Sequence, residues 1–468
     1  MPIQLLLEPP FANRALENVL LRGNEITWLT VDHHPDHLSQ LQQLFTSSRP
    51  TVERLHVYSD YFRGWTTEAQ KVREIWQHFP LLRELFVSRH FVPINQFTAP
   101  NLVHLALEHT GNILNVTVKS LLDMLSGCPL LETLLLDYSD ILPPGTIRGH
   151  PSIRFPRLRT IEVGGYEVHS RLITYLDFPP NVAVGFRMMR TSDVCGTIPH
   201  AVLSSIQHVF TRIDVRSITL AAATHYKGHI LIRVHFEGPH GSLEITVGDI
   251  QDHTQPQRLL FGPEGVLFSH SSHIENVTEL QVVGCFFHTD HGFDRVNAAM
   301  PNVDTISFSQ CDGPHVFGLL TSGNPSSPPF PRLERVMVLG SESRLEEMAR
   351  RRRDLGVPLK TLAIGRGHGD FEYEPLEDYT ALGGLVGDLR TGCPVEMWWW
   401  DTENEILRRW SAISASVMVS LGWNVILLCL TTLYSFSFMN RVSCLGFIVS
   451  TLHGRMLDSS GVIRNKRR

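Results

Sequence analysis

The chain has 468 residues, of which 43% are hydrophobic and 19% are charged, proportions that are ordinary for a folded soluble protein. Its formal net charge of −6 gives no reason to expect nucleic acid as a partner, because nucleic-acid-binding domains are usually basic. A single compact core rarely grows to this length, so we expect either about three domains or an array of repeats.

One phrase recurs along the sequence: a proline, one variable residue, and then apolar residues at relative positions 1, 4 and 6. The clearest copy follows Pro129 and places Leu131, Leu134 and Leu136 at these positions, which are counted from the first apolar residue. Copies of the same kind begin at Leu82, Leu102, Leu158, Val303, Leu333 and Leu359, and weaker or proline-free copies begin at Ile26, Val52, Val215 and Val277.

Recurrence of L-x-x-L-x-L in this way is typical of leucine-rich repeats. Each repeat supplies one strand and one return segment, and it buries its apolar side only by stacking on its neighbours. We therefore predict an α/β leucine-rich-repeat solenoid over residues 1–400, with a curved parallel sheet from about residue 26 to 364 and helices and loops on the convex side. Helical return segments are expected at 67–79, 118–125 and 345–353.

The phrase is lost around residues 176–214, returns at Val215, and then gives way to strict alternation. Apolar residues alternate with others from Ile230 to Phe236 and again from Leu243 to Val247, on either side of a Gly-Pro-His-Gly segment. Two period-2 runs about a Gly/Pro turn are typical of a β-hairpin. We expect a break in the solenoid and a hairpin near residues 176–250.

The positions of the repeat also predict which residues contact a partner. Because positions 1, 4 and 6 enter the core, side chains at positions 3, 5 and 7 are expected on the concave face. This face mixes charged, polar and apolar residues, which favours a protein partner over a nucleic acid; a face that is merely solvated is the alternative. The candidate partner-binding residues are Arg54, His56, Tyr58, Glu84, Phe86, His104, Glu108, Thr133, Asp137, Glu279, Gln281, Thr305, Ser307, Arg335 and Met337.

The sequence offers no residues on which to base catalysis, a cofactor or a metal site. Histidine groups such as His33, His34 and His37 match no known ligand spacing, so they are expected to be solvated or turn residues. No nucleophile–base arrangement and no pair of carboxylates stands out. We predict a protein that is not an enzyme and binds no cofactor or metal.

The seven cysteines form no C-x-x-C motif, and their number is odd. Cys285 and Cys311 stand at position 9 of their repeats, where Asn or Cys is typical, and are expected to be small buried residues. A reducing compartment, the cytoplasm or nucleus, is therefore expected, and no secretory signal begins the chain. The basic run Arg350–Arg353 is either a nuclear signal or part of an exposed helix with i,i+4 ion pairs.

The segment Phe330–Val338 (FPRLERVMV), followed by Leu355–Leu362 (LGVPLKTL) with a charged helix between them, resembles the leucine-rich-repeat region of fungal F-box proteins. The resemblance covers roughly residues 20–400 and implies a substrate-recognition subunit of a cullin-type ubiquitin ligase. In that family an F-box ahead of the repeats docks a Skp-type adaptor. No F-box is found in this chain, so the adaptor is expected as a partner only if an F-box is missing from the gene model.

The C-terminal segment, residues 401–468, differs in composition from the repeats. From Trp410 to Asn440 it contains no charged residue, and the candidate transmembrane helix at 411–439 exceeds the roughly 20 residues that span a bilayer. Basic residues beyond this helix oppose the usual orientation rule, so a packed helix and a translation artefact are alternatives. A membrane-tethered leucine-rich-repeat protein unrelated to ubiquitination is accordingly the second functional hypothesis. Just before this segment, Trp398–Trp400 is expected to cap the last repeat or to bind a partner.

Overall fold

The computed structural model describes residues 2–7, 26–33, 51–58, 79–88, 99–108, 118–137, 152–165, 172–189, 200–224, 230–250, 271–284, 293–309, 318–321, 326–339, 344–365 and 380–393. These residues all belong to one compact unit, Met1–Val395. Their fold is α/β, with a large, mostly parallel sheet and a few helices.

Sixteen strands form one sheet, and two short strands, β7 and β9, form a second. In chain order the strands are β1 (Pro2–Leu7), β2 (Trp28–His33), β3 (Arg54–Tyr58), β4 (Glu84–Ser88), β5 (His104–Glu108), β6 (Thr133–Asp137), β7 (Ile153–Arg154), β8 (Thr160–Gly164), β9 (Leu176–Asp177), β10 (Ala183–Met189), β11 (Ser217–Thr224), β12 (Ile230–Gly238), β13 (Gly241–Ile250), β14 (Glu279–Val283), β15 (Thr305–Ser309), β16 (Arg335–Leu339), β17 (Thr361–Gly365) and β18 (Asp388–Cys393).

The large sheet follows chain order except at its middle, where the strand order is β8-β10-β13-β12-β11-β14. The two alternating runs of the sequence form β12 and β13, which pair antiparallel, and β12 also pairs antiparallel with β11. Pairing of β10 with β13 and of β11 with β14 is parallel. Only β12 therefore runs against the other strands of the described sheet, which is continuous across the hairpin.

The burial of positions 1, 4 and 6 explains why these segments form strands of a packed sheet. Alternate side chains of a strand point to opposite faces, and Leu131, Leu134 and Leu136 are all fully buried. The same three positions are buried in the units that begin at Val52, Leu82, Leu102, Leu158, Val215, Val277, Val303, Leu333 and Leu359. The apolar phrase is thus the hydrophobic core of the sheet, and removing this area from water is its main stabilisation.

A further buried position lies three residues before position 1. Its carbonyl accepts a hydrogen bond from the N–H of position 1, as from Leu82 to Phe79 at 3.4 Å, and this closes a turn around the proline. The buried residues at this position are Phe79, Ala99, Cys128, Phe155, Ile274, Met300 and Phe330.

Neighbouring units are joined at these turns by a repeated hydrogen-bond pattern. The carbonyl at position 2 accepts from the N–H groups of positions 2 and 3 in the next unit, as Glu53 does from Arg83 at 2.7 Å and Glu84 at 3.0 Å. Asparagine adds a side-chain bond in two units: Asn101 Nδ2 donates to Pro80 O at 2.7 Å, and Asn302 Nδ2 donates to Glu275 O at 2.8 Å. These bonds fix the register between successive strands.

Strand β10 lies where the sequence predicts a break. Here one residue is missing between positions 1 and 4, so the apolar residues Val182, Val184 and Phe186 alternate instead of following the 1-4-6 phrase. Pairing with β8 sets Val184 beside Ile161 and Phe186 beside Val163, so both side chains enter the core. The expected break is therefore a shortened unit within a continuous sheet.

The sheet also extends beyond residues 26–364. Strand β1 pairs parallel with β2, and β18 pairs parallel with β17. In β18 the polar Thr391 lies beside Ile364, at the place of the third apolar residue. This replacement explains why the apolar phrase stops one strand before the sheet does.

The α-helices that lie wholly within the described ranges are α1 (Val118–Ser126), α2 (His200–Phe210), α3 (Ser271–Ile274), α4 (Phe293–Ala299), α5 (Leu345–Asp354) and α6 (Thr380–Gly383). Residues 318–321 are also helical, and a 3-10 helix covers Ile173–Tyr175. Helices α1 and α5 confirm the helices predicted at 118–125 and 345–353, whereas the segment predicted at 67–79 lies outside the described residues except for Phe79. Buried apolar residues of the helices join the same core as the strands, for example Leu121, Val209 and Met348.

The basic run of α5 is divided between the surface and the interior. Arg350 forms an i,i+4 ion pair with Glu346, and Arg351 and Arg353 are exposed. Arg352 is fully buried: its Nη1 donates to the carbonyls of Leu320 at 3.2 Å and Pro329 at 3.0 Å, and its Nη2 donates to the carbonyl of Phe330 at 3.3 Å. Burial lowers the pKa of Arg352 to about 10, so the guanidinium is charged at neutral pH and holds the turn before β16.

Cys128 shows how a cysteine is used in this fold. It is buried at the position before the proline, and burial raises the pKa of its thiol to about 12, so the thiol is unreactive at neutral pH. Cys285 and Cys311 lie outside the described residues, as do Trp398–Trp400 and the candidate membrane helix at 411–439. None of the helices in the described ranges is long and apolar enough to cross a membrane.

Candidate functional site

Residues at positions 3, 5 and 7 lie on the sheet face that is turned away from the hydrophobic core, which we call the polar face. The parallel register sets equal positions of neighbouring strands side by side, as Glu84 beside Arg54 and Asp137 beside Glu108. All fifteen candidate residues fall in these rows, although the side chain of Tyr58 lies outside the described part of the structure. The fifteen divide into two groups, one on β3–β6 and one on β14–β16.

Burial of these candidates is uneven. His56, Phe86, Glu108 and Asp137 are buried on β3–β6, with exposures of 0%, 6%, 9% and 4%. Arg54 and His104 on the same strands, and Arg335 on β16, are exposed. The polar face is therefore not merely solvated, because part of it forms a second packed layer above the sheet.

Trp28, Arg54, His56, Glu84 and Phe86 form what we call the aromatic cluster, on β2–β4. His56 Nε2 donates a hydrogen bond to Glu84 Oε1 at 2.8 Å, and the His56 ring meets the rings of Trp28 and Phe86 edge to face, each at 5.9 Å. The Arg54 guanidinium lies 5.3 Å from the Trp28 ring centre and 3.6 Å from Glu84 Oε2. Tryptophan and arginine in such an arrangement are typical of residues that dominate protein–protein binding.

The aromatic cluster is only partly satisfied in its hydrogen bonding. Burial raises the pKa of Glu84, but the hydrogen bond and charge of His56, together with Arg54, outweigh burial and hold this pKa below its ordinary value. Two buried nitrogens of the cluster, His56 Nδ1 and Trp28 Nε1, have no hydrogen-bond partner in the described structure. Buried polar atoms usually have a partner, so these two mark a place where a water or a ligand atom could bind.

Glu108, Asp137, Glu162 and Arg187 form a second group, the acidic cluster, on β5, β6, β8 and β10. Arg187 Nη2 lies 2.7 Å from Glu162 Oε1, and Arg187 Nη1 lies 3.4 Å from Asp137 Oδ2. The register places Glu108 directly beside Asp137. Two of the three carboxyl groups, those of Asp137 and Glu162, thus form ion pairs with the same guanidinium.

Gly164 makes this arrangement possible. It lies between Asp137 and Arg187 in the row of position 7, and a Cβ atom at this residue would come within 1.9 Å of Asp137 Oδ1. The missing side chain lets the Asp137 carboxyl lean over β8 toward Arg187. Gly185 likewise leaves room for the side chain of Glu162, because a Cβ atom added at Gly185 would lie 3.3 Å from Glu162 Cγ.

The excess of carboxyl groups changes their acidity. Burial, reinforced by the nearby charge of Asp137, raises the pKa of Glu108 to about 7. Burial raises the pKa of Asp137 to about 6, although Arg187 acts in the opposite direction. The Oδ1 atom of Asp137 is buried and has no hydrogen-bond partner in the described residues. Glu108 accepts a hydrogen bond from Ser88, so the missing hydrogen-bond donor is specific to Asp137 Oδ1.

On β11 and β14–β16 the polar face is mostly uncharged. Gln281 Nε2 donates to Glu279 Oε1 at 2.9 Å, and Thr219 Oγ1 lies 3.5 Å from Gln281 Oε1. Arg335 Nη2 pairs at 3.2 Å with Asp304, a residue at position 2 of the preceding unit. Thr305, Ser307 and Met337 complete these rows without adding charge.

The sequence-based prediction missed three residues of the two clusters. Trp28 and Glu162 stand at positions 3 and 5 of units that were recognised, so the same position rule would have included them. Arg187 lies in the shortened unit, where the 1-4-6 phrase cannot be followed. The alternation of Val182, Val184 and Phe186 is the signal that could have placed it.

A groove of about 690 Å³ lies at the start of the C-terminal strands, at the turns rather than on the polar face. Its lining includes the position-2 residues Arg216, Thr278, Asp304, Glu334 and Lys360, together with residues of the turns such as Asn302 and Arg332. Lys360 pairs with Glu334, and Arg216 pairs with Asp214 at 2.5 Å. Its charges largely neutralise one another, so the groove does not favour a ligand of either sign.

Within the described ranges, no group of three or more His, Cys, Asp or Glu residues could hold a metal ion. The acidic cluster therefore has carboxyl groups in proximity but not in a metal-binding geometry. A comparison of the sequence with models of known protein families finds no match, and a comparison with curated proteins finds none either.

Proposed function

We propose that this chain is a non-enzymatic leucine-rich-repeat solenoid that recognises a protein partner through its polar face. The observation that carries the proposal is the packed layer on this face, with a tryptophan, an arginine and a histidine in one cluster and four charged groups in the next. Aromatic residues and arginine are enriched at the centres of protein interfaces.

The repeated unit supports the solenoid part of this proposal. Most units share the buried 1-4-6 positions, the same turn and the same hydrogen bonds to the next unit, as expected for a chain built by stacking of repeats. Such proteins usually bind partners on an extended face, and they rarely carry chemistry of their own.

Proximity labelling in cells tests the recognition proposal. The chain is fused to a labelling enzyme and compared with an Arg54→Ala/His104→Ala variant, which changes exposed residues of the polar face. The control is Arg83→Ala/Arg157→Ala, which changes exposed residues at the turns. We expect a set of proteins labelled by the wild type and the control but depleted with the polar-face variant. Identical labelling by all three chains would contradict the proposal.

A role in ubiquitination is the finer proposal, and it is supported by the resemblance of 330–338 and 355–362 to fungal F-box proteins. If the chain selects substrates for a cullin-type ligase, proteins that depend on the polar face for labelling should accumulate when cullin activation is blocked. Co-purification with a Skp-type adaptor would support the same role. Partner proteins whose half-lives are unchanged under the block would contradict it.

The second functional proposal is a membrane-tethered interaction protein, for which the uncharged stretch 411–439 is the reason. Full-length protein should then sediment with membranes and resist extraction by alkaline carbonate, whereas a chain ending near Glu403 should not. Release of the full-length protein by carbonate would contradict the tether without affecting the recognition proposal.

A further inference from the structure

Glu108 and Asp137 are the carboxyl groups of the acidic cluster whose charge is least compensated. They are 9% and 4% exposed, and in the described structure Asp137 forms an ion pair with Arg187 whereas Glu108 forms none. Arg187 lies closest to Glu162, at 2.7 Å, and reaches Asp137 at only 3.4 Å. Buried carboxylates normally require a paired charge or several hydrogen bonds.

A second observation points into the same place. Asp137 Oδ1 is buried and accepts no hydrogen bond in the described residues, although the side chain is more than nine-tenths buried. Gly164 leaves the space into which this oxygen projects. A buried acceptor without a donor marks a place where a donor, from a ligand group or a water, can bind.

The approach to the cluster is partly open. The side chains of Glu162 and Arg187 are 25% and 23% exposed, so the edge of the cluster is in contact with solvent. A long side chain can enter at this edge and bring its charged end to the buried carboxyl groups. Arginine suits such a site best, because its planar fork of N–H donors can satisfy two carboxylate oxygens together.

We propose that the acidic cluster of Glu108, Asp137 and Glu162 is the pocket for an arginine side chain of the protein partner, which would insert beside Arg187. This inference rests on the proposed recognition function and names the partner's chemistry: a basic segment with at least one arginine. On the C-terminal part of the polar face, Glu279 and Arg335 are the charged residues at positions 3, 5 and 7 of β14–β16, so that part offers no comparable attraction.

The experiment measures binding of a fluorescently labelled nona-arginine peptide to the full chain by fluorescence anisotropy, with nona-lysine as a second ligand of equal charge. The test variant is Glu108→Gln/Asp137→Asn, which keeps the side-chain shapes. The control variant is Glu275→Gln/Asp354→Asn, which removes the same two charges at exposed residues elsewhere. Thermal melts of all three chains show whether each is folded.

The test variant should bind nona-arginine at least tenfold more weakly than the wild type, since loss of a paired buried charge commonly weakens binding by more than this factor. The control should change the dissociation constant by less than about threefold, which is the size expected for screened surface charges. Nona-arginine should bind more tightly than nona-lysine to the wild type, and this preference should disappear in the test variant. Equal weakening in both variants, or no weakening in either, would overturn the inference.

Proton release provides an independent readout. A bound arginine favours the ionised forms of Glu108 and Asp137, which are faced in the described structure by Ser88, Glu162 and Arg187. The wild-type affinity should therefore rise about tenfold between pH 6 and pH 8, a range in which arginine keeps its charge. The test variant should show no such rise. A flat pH profile for the wild type would count against the pocket.

The remaining outcomes distinguish other occupants. Concentration-dependent self-association that is lost in the test variant would show that a second copy of this chain fills the pocket. The proposal that a different protein supplies the arginine would then be wrong. If the pocket fails all these tests while proximity labelling still depends on Arg54 and His104, recognition stands and only the arginine pocket is rejected.

Discussion

The polar face differs between the two sides of the central hairpin, although the strands beneath it are built alike. On β2–β10 it has two clusters with buried side chains, which together contain a histidine, a tryptophan, two arginines and four carboxyl groups. On β14–β16 it has mainly hydroxyl and amide side chains with local bonds. Positions 1, 4 and 6 are buried on both sides, so the difference lies in positions 3, 5 and 7. These positions do not enter the core, so their side chains can differ between the two sides while the strands beneath them stay alike.

Substitution within the core should have the largest effect and should be the same on both sides. Leu134→Asp places a charge where the exposure is 0%, and we expect a loss of roughly 5 kcal/mol or failure to fold. Thr133→Asp, one residue earlier and on the polar face, is the matched control and should cost less than about 1 kcal/mol. Chemical denaturation measures both. Similar losses for the two variants would contradict the assignment of the faces.

Arg352, on the C-terminal side, is a structural arginine, whereas Arg187, on the N-terminal side, lies in a candidate site. Arg352→Met removes the donor for three buried carbonyls, so we expect a loss of about 3 kcal/mol. The control Arg351→Met, at an exposed residue of the same helix, should stay within about 0.5 kcal/mol. Denaturant unfolding curves decide between these outcomes, and equal stability of the two variants would mean that Arg352 does not hold the turn.

The acidic cluster should make stability depend on pH. Glu108 has its pKa raised to about 7 and Asp137 to about 6, so the folded chain binds these protons more tightly than the unfolded chain does. The free energy of unfolding should therefore decrease by on the order of 3 kcal/mol as pH rises from about 4.5 to 7.5.

Glu108→Gln/Asp137→Asn should remove most of this decrease and be more stable than the wild type at pH 7.5. Glu275→Gln/Asp354→Asn serves as the control and should retain the decrease. Unfolding curves at a series of pH values test this prediction, and a wild-type stability that rises over the same range would contradict it.

Gly164 provides a smaller test of the same cluster. Gly164→Ala forces the Asp137 carboxyl to move, since the new Cβ would lie 1.9 Å from Oδ1, and we expect a loss of about 1–2 kcal/mol. Gly383→Ala, where no atom lies within 4 Å of an added Cβ, should change stability by less than about 0.5 kcal/mol. Thermal melts can resolve this difference, and an unchanged Gly164→Ala variant would show that Asp137 is not confined as described.

The parallel sheet and its core could be predicted from the sequence because the apolar residues of the repeated phrase, such as Leu131, Leu134 and Leu136, are the ones that are buried. The shortened unit at Val182 could not, since a single missing residue converts the phrase into plain alternation. Glu108 and Asp137 share position 7 of successive units, and the pairing of β5 with β6 sets them side by side. Position numbers could not show that Gly164 leaves room between Asp137 and Arg187, because that depends on packing across three strands.

We propose that the N-terminal side of the polar face is the recognition surface. Proximity labelling with Arg54→Ala/His104→Ala is compared with Gln281→Ala/Arg335→Ala on the C-terminal side. We expect the first variant to lose a defined set of labelled proteins and the second to retain them. Loss of the same proteins with the second variant, and their retention with the first, would contradict it.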